Sequence, residues 1–197
     1  MTEALQEKGQ LLWLMEQAAG CALPAGAQLQ QAVSLRKIQK GQQVFAAGEW
    51  QPYVYVVRKG IFKLTYLSES GQEWIKSFIG EAGFFACPNV LISGLKTDFF
   101  VTAIEDSQIE QVDYALLKNL AEMHPEWQKA IRGLLESHIV RKEQRERELL
   151  TMTPDARYLS FLQHYPEIAA RVQLRDLAHY LGVTPEALSR IRKRLHR

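Results

Sequence analysis

The stretch QLRDLAHYLGVTPEALSRIRKRL, residues 173–195, is the part of the chain whose pattern decides most. Leu174, Leu177, Ala178 and Leu181 recur at helical spacing. Gly182 follows at once and supplies the position past a helix end where a left-handed backbone is needed. Val183 is a buried-type residue in the turn. Thr184, Pro185 and Glu186 then read as N-cap, first helical position and an acid in the first turn. Leu188, Ile191 and Leu195 share one face of that second helix. Two short helices joined by a tight glycine turn predict a helix-turn-helix. The second helix directs Glu186, Ser189, Arg190 and Lys193 away from its apolar stripe, with Thr184 at its start. Arg190 suits a bidentate contact to guanine O6 and N7, and Glu186 can accept from a cytosine amino group. Arg192, Arg194 and Arg197 are expected near phosphates, where they add affinity without reading sequence. A small helical domain with a basic surface carries the same pattern, so the rest of the chain has to decide.

Charge supports an anionic partner for this end. The chain has 197 residues and a net charge of only +2, but residues 151–197 hold eight basic side chains against four acidic ones. The remainder is therefore slightly acidic, and a basic tail on such a body is expected to meet an anion, which for a helix-turn-helix is double-stranded DNA. With 47% apolar residues a buried core is available. The two cysteines, Cys21 and Cys87, give no indication of a disulfide framework and cannot assemble a four-cysteine iron–sulfur site from this one chain. Residues 1–10 are polar and read as no signal peptide, and no apolar run approaches the ~20 residues that span a bilayer. The expected setting is the cytoplasm, with no membrane partner.

Upstream of the tail the pattern changes twice. Residues 10–20 carry Leu11, Leu12, Leu14 and Met15 and predict a helix ending at Gly20, with a second short helical turn over 24–32. From Val33, glycines at 41, 48, 60, 71, 80, 83 and 94 punctuate runs rich in β-branched and aromatic residues. These runs are 53–57, 61–67, 74–79, 99–104 and 109–114, a spacing that predicts an antiparallel β-barrel or jelly roll. Glu69-Ser70-Gly71 reads as a hairpin turn. His124-Pro125-Glu126 then opens a long helix to about Leu150. Its first half carries Trp127, Ile131, Leu134, Leu135, His138 and Ile139 on one side, suited to packing on the barrel and on a partner helix. Its second half, Arg141–Glu148, is a charge run that reads as solvated surface. Thr153-Pro154-Asp155 starts another capped helix. The fold class expected is α+β. Residues 1–123 form an N-terminal helix and β-barrel sensor domain, 124–150 a long dimerisation helix, and 151–197 a helix-turn-helix domain without a clear wing.

In this order the parts resemble the Crp/Fnr family. The residues that carry the resemblance are Gly41–Glu49 and Tyr55–Gly60 in the barrel, and Glu186, Ser189 and Arg190 as an E-x-x-S-R pattern in the second DNA-binding helix. The resemblance implies a transcriptional regulator, a homodimer paired along 125–150, a palindromic DNA site and RNA polymerase as a further partner. It also exposes a departure. Members that bind cyclic nucleotides carry F-x-G-E-L, then Arg followed by Ser or Thr about ten residues on. Here an ungapped reading puts Cys87 where the glutamate would be, and Thr97-Asp98 where the arginine and hydroxyl would be. Lys142 and Glu143 stand where two hydroxyl residues would touch the base. An anion there loses its bidentate cation and faces an acid, so cAMP and cGMP are not expected. The chain's end at Arg197 adds the expectation that wing contacts to the DNA backbone are absent.

A barrel stripped of that cassette can still take an unknown small-molecule effector. Candidates to line it are Tyr66, Trp74, Phe84, Cys87, Asn89, Thr97 and Phe99, with His138, Arg141, Lys142 or Arg145 arriving from the long helix. Simple core filling by the same aromatics is the alternative. The five histidines lie outside the strand runs and form no His-x-His pair, so no metal site, no cofactor and no cupin-like metalloenzyme is expected. No nucleophilic triad follows from spacing, so the chain is not read as an enzyme. The competing function is a ligand-binding or signalling module whose C-terminal domain mediates protein contacts.

Overall fold

The computed structural model describes residues 9–69 and 71–195. Arg197 and Ser70 therefore lie outside the described residues. The strands are β1 (Ser34–Ile38), β2 (Gln43–Phe45), β3 (Tyr53–Lys59), β4 (Phe62–Leu67), β5 (Glu73–Ile79), β6 (Phe84–Phe85), β7 (Phe100–Ala103) and β8 (Ser107–Asp113). They pair antiparallel into two four-stranded sheets, ordered β1-β8-β3-β6 and β2-β7-β4-β5. The two inner faces enclose a core that includes Phe45, Tyr55, Phe62, Phe85, Phe99, Val101 and Ile109. The jelly-roll pairing agrees with the strand pattern, but the barrel does not close. β6 is two residues long and β2 is three with a register shift, too short to seal the edges of the sheets.

β3 is apolar on both faces because both are covered. Tyr55 and Val57 point into the roll, while Val54 and Val56 pack outward against helices, as the two-residue strand period requires. Those helices are α1 (Gln10–Ala19), α2 (Gly26–Ala32), α4 (Tyr114–Met123) and α5 (Pro125–Thr151), with α3 (Pro88–Leu91) between β6 and β7. Leu11, Met15, Leu120 and Trp127 fill the layer, and the Trp127 indole donates to the Pro24 carbonyl at 2.8 Å. The buried Glu110 carboxylate on β8 accepts from the amides of Gln10 and Leu11 at 2.8 and 2.7 Å, satisfying the N-terminus of α1 with a negative charge. Gly133 permits the approach of α1 to α5, since a Cβ there would meet the Ala18 carbonyl at 2.8 Å.

After α5 come α6 (Pro154–His164), α7 (Pro166–Ala169), α8 (Leu174–Leu181) and α9 (Pro185–Leu195). The Thr153 hydroxyl caps α6 by accepting from the Ala156 amide. Arg157 on α6 donates to the carbonyls of Met152 and Leu149, closing the C-terminal end of α5 with a cation. These helices do not stand apart from the roll. Tyr158, Phe161, Leu177 and Tyr180 share one apolar cluster with Ile61, just ahead of β4, and with Ile75 and Phe78 of β5. Around it Lys63 pairs with Asp176 at 3.0 Å, and Arg171 clamps Glu81 at 2.8 Å and also Glu105. Burial opposes ionisation of Glu81, but the Arg171 guanidinium and the Gly60 amide outweigh it and hold the carboxyl down at about 2.

Candidate nucleic-acid interface and effector cavity

The helix-turn-helix is built by local residues. Gly182 ends α8 with φ 70° and ψ 36°, and the Val183 amide reaches back to the Ala178 carbonyl at 3.0 Å. The Thr184 hydroxyl then accepts from the Ala187 amide at 3.2 Å and starts α9. Leu188 and Ile191 are buried, whereas Leu195, read as part of that apolar face, is 39% exposed. Thr184, Glu186, Arg190, Arg192, Lys193 and Arg194 are exposed, and Ser189 is half-buried beside them. Hydrogen bonds from its own backbone amide and the Thr184 hydroxyl hold the Glu186 carboxyl below its usual range, which keeps it an acceptor. Arg194 is tied to Asp155 on α6, so a phosphate has to compete with that carboxylate for it. The described face thus carries cations and one acceptor, open to solvent.

The residues expected around an effector fall into four places. Cys87, Thr97 and Phe99 are buried inside the roll. The Thr97 hydroxyl is already used, donating to the Ala46 carbonyl at 2.6 Å and accepting from the Glu49 amide at 3.0 Å. The Cys87 thiol lies 4.0 Å from an Asp98 carboxylate oxygen. Phe99 packs edge-on to Phe45 at 5.5 Å between ring centres. Asn89 is half-buried on α3, where its carbonyl accepts from the Leu95 amide. Tyr66 and Trp74 face each other across the β4–β5 hairpin and are partly open to solvent, at 36% and 45% exposure. Phe84, His138, Arg141 and Lys142 instead gather along α5, with the Phe84 and His138 rings 6.0 Å apart and the Arg141 guanidinium 5.6 Å from the Phe84 ring.

That last group borders a cavity of about 230 Å³ where β5, α5 and the C-terminal helices meet. Its lining includes Lys76 and Glu148, which are not among the expected candidates, and Arg145, which is. Lys76 borders the cavity from β5, where the pairing skips a residue: Leu64 pairs Ser77 and Thr65 pairs Ile75. The extra residue of this bulge turns its ammonium over the Phe99 ring at 4.1 Å. Burial lowers the Lys76 pKa, with Asp98 opposing the shift. Arg141, Lys142, Glu143, Glu146 and Arg147 are exposed, as the reading of Arg141–Glu148 as solvated surface expects, but two residues of the run depart from it. Glu148 is buried and accepts from Ser160 at 2.9 Å, and Arg145 lies 3.8 Å over the Tyr180 ring while donating to its carbonyl. The signal was present in the spacing: Trp127, Ile131, Leu134, His138, Arg141, Arg145 and Glu148 follow one 4-3-4-3-4-3 line along the helix. On a neighbouring line Leu135, Ile139, Val140, Leu149 and Leu150 are exposed, leaving an apolar ridge on α5. Among the described residues no cluster of three or more His, Cys, Asp or Glu could hold a metal ion, and no helix is long and apolar enough to cross a membrane.

Comparison with known proteins gives consistent matches. The family model described as the cyclic nucleotide-binding domain matches residues 35–124. The regulatory protein HlyX of Actinobacillus pleuropneumoniae is 30% identical over 179 residues, covering 83% of this chain and 72% of that protein. The fumarate and nitrate reduction regulatory protein of Vibrio cholerae is 28% identical over 179 residues, covering 83% and 70%. The structure of FixK2 from Bradyrhizobium japonicum superposes with a TM-score of 0.74 at 23% identity, covering 83% of this chain and 84% of that one, which establishes a shared fold.

Proposed function

This chain belongs to the Crp/Fnr family of transcriptional regulators, and from that premise we propose that it binds a two-fold symmetric duplex site as a homodimer. The observation that carries this reading is the exposed face of α9, with Arg190, Lys193 and Glu186 directed outward from a helix start fixed by Gly182 and Thr184. Arg190, Glu186 and Ser189 read base edges, and Thr184, Arg192, Lys193, Arg194 and Arg197 hold the backbone. Two copies pair through the Leu135, Ile139 and Val140 ridge of α5, placing the reading helices about one DNA turn, roughly 34 Å, apart. RNA polymerase is the further protein partner that family membership supports, and the setting is the cytoplasm, where the DNA is. No residue is assigned a catalytic role. The relatives' names favour this regulator over a module whose C-terminal helices serve protein contacts.

We further propose that cyclic nucleotides are not the signal. The Thr97 hydroxyl is committed to the protein's own backbone, Asp98 adds negative charge, and the Lys76 ammonium is already stacked on Phe99. A cyclic phosphate would meet no bidentate cation there. Phe84, His138, Arg141 and Lys142 are the effector-facing residues in this reading. Selection of bound sequences from random duplex pools tests the main proposal: enrichment of an inverted repeat is expected, and its absence would overturn it. Calorimetric titration with cAMP and cGMP tests the second, where micromolar binding would refute it.

A further inference from the structure

We infer that the cavity between β5, α5 and the C-terminal helices binds a small organic anion with an apolar body, an aryl or alkyl carboxylate. This deepens the effector reading above and rests on it for the link to DNA. The site adjoins the nucleotide cassette without coinciding with it: Phe84, Phe85, Ala86, Pro88 and Lys142 line it, whereas Cys87, Thr97, Asp98 and Phe99 do not. Its walls are mostly apolar, with Ile79, Phe84, Leu134, Phe161 and Ile168 among them. Its charges are one-sided. Among the lining residues Arg141, Lys142 and Arg145 stand against one acid, Glu148, which already accepts from Gln144 and Ser160, while Lys76 borders it with its stem and holds its ammonium over the Phe99 ring.

Arg145 supplies the independent sign of a ligand. Its Nη2 donates to the Tyr180 carbonyl and its guanidinium stacks on the Tyr180 ring. Its Nη1 is shielded from solvent and has no hydrogen-bond partner among the described residues. A desolvated cation with a free donor gains most from a carboxylate, which satisfies the donor and the charge together. The volume of about 230 Å³ is below the ~300–1,000 Å³ of sites for drug-sized ligands, so the anion is a single ring or a short chain. Because the walls come from β5, from α5 and from Phe161, Tyr165 and Tyr180 of the C-terminal helices, a bound anion bridges the roll to the unit that carries α9. It therefore favours whichever arrangement of the two keeps all three walls together.

The test is calorimetry on the full chain with phenylbutyrate and, separately, the uncharged phenylbutanol. The acid is expected to bind roughly tenfold or more tightly than the alcohol, the advantage of a charge-assisted contact. Arg145→Gln is expected to erase that preference while alcohol binding persists. Lys142→Gln, a change at an exposed side chain that leaves the packing intact, is expected to reduce acid binding several-fold. Binding of neither compound, equal binding of both, or an unchanged preference in both variants would overturn the inference. The titration contains no DNA, so its failure leaves the duplex selection standing, and failure of the selection leaves the titration to be judged alone.

Discussion

Arg190 and Arg194 sit four residues apart on α9 and differ in what holds them. Arg190 is exposed and directed outward, whereas Arg194 is engaged by Asp155. Arg190→Ala should cost about 1–3 kcal/mol on the preferred site and relax base choice at one position, read by repeating the duplex selection with the variant. His138 offers a residue-scale test of a different kind. Burial, and then Arg141, Lys142 and Lys76, push its pKa down to about 4 from 6.5. Above pH 6.5 the ring is neutral folded or unfolded and costs nothing. Between pH 6.5 and about 4 the unfolded chain takes up a proton that the folded chain refuses, so stability falls across that window. His138→Gln should flatten this fall in thermal melts recorded from pH 7 to pH 4, and an unchanged slope would count against the assignment.

At the scale of elements, α5 divides its apolar residues between two jobs. Trp127, Ala130 and Leu134 face the N-terminal helical layer, while Leu135, Ile139 and Val140 stay exposed. Ile139→Glu should leave the fold of one copy intact and convert a dimer to a monomer in sedimentation, with loss of binding to a symmetric site. This division was half legible in the residue order. The stripe was visible, but its continuation through Arg141, Arg145 and Glu148 carried charges that a solvated surface would carry as well. The turn around Gly182 and Thr184 was legible because each residue there acts on its own backbone. Lys76 was not, because a bulge changes which way a strand residue points without changing its type. The jelly roll was legible in the strand runs, but not that its sheets stay open, because strand pattern reports pleat and period, not whether strands as short as β2 and β6 can seal an edge.

For the whole molecule, the decisive contact is the one no local pattern announces, the seating of the C-terminal helices on the β4–β5 sheet. Phe78 stands at its centre, 5.4 Å from the Tyr180 ring and 6.1 Å from Phe161. Phe78→Ala should cost about 3–5 kcal/mol and divide the melting curve into two transitions. Arg171→Ala, at the partly exposed rim, should cost no more than about 1 kcal/mol and leave one transition. Comparable losses from both would mean that the ion pairs, not the apolar cluster, join the two parts. The seating also governs how the chain can be handled and built. β5 is the outer strand of its sheet, and α8 is what covers Ile75 and Phe78 on it. Ribosomes release residues 1–151 before that cover exists, so each nascent chain passes through a stage with an apolar face bare on the outer strand of a sheet, the kind of surface that recruits other chains. A chain cut after residue 151 and expressed alone would remain at that stage, and should collect in inclusion bodies unless Ile75 and Phe78 are replaced by polar residues.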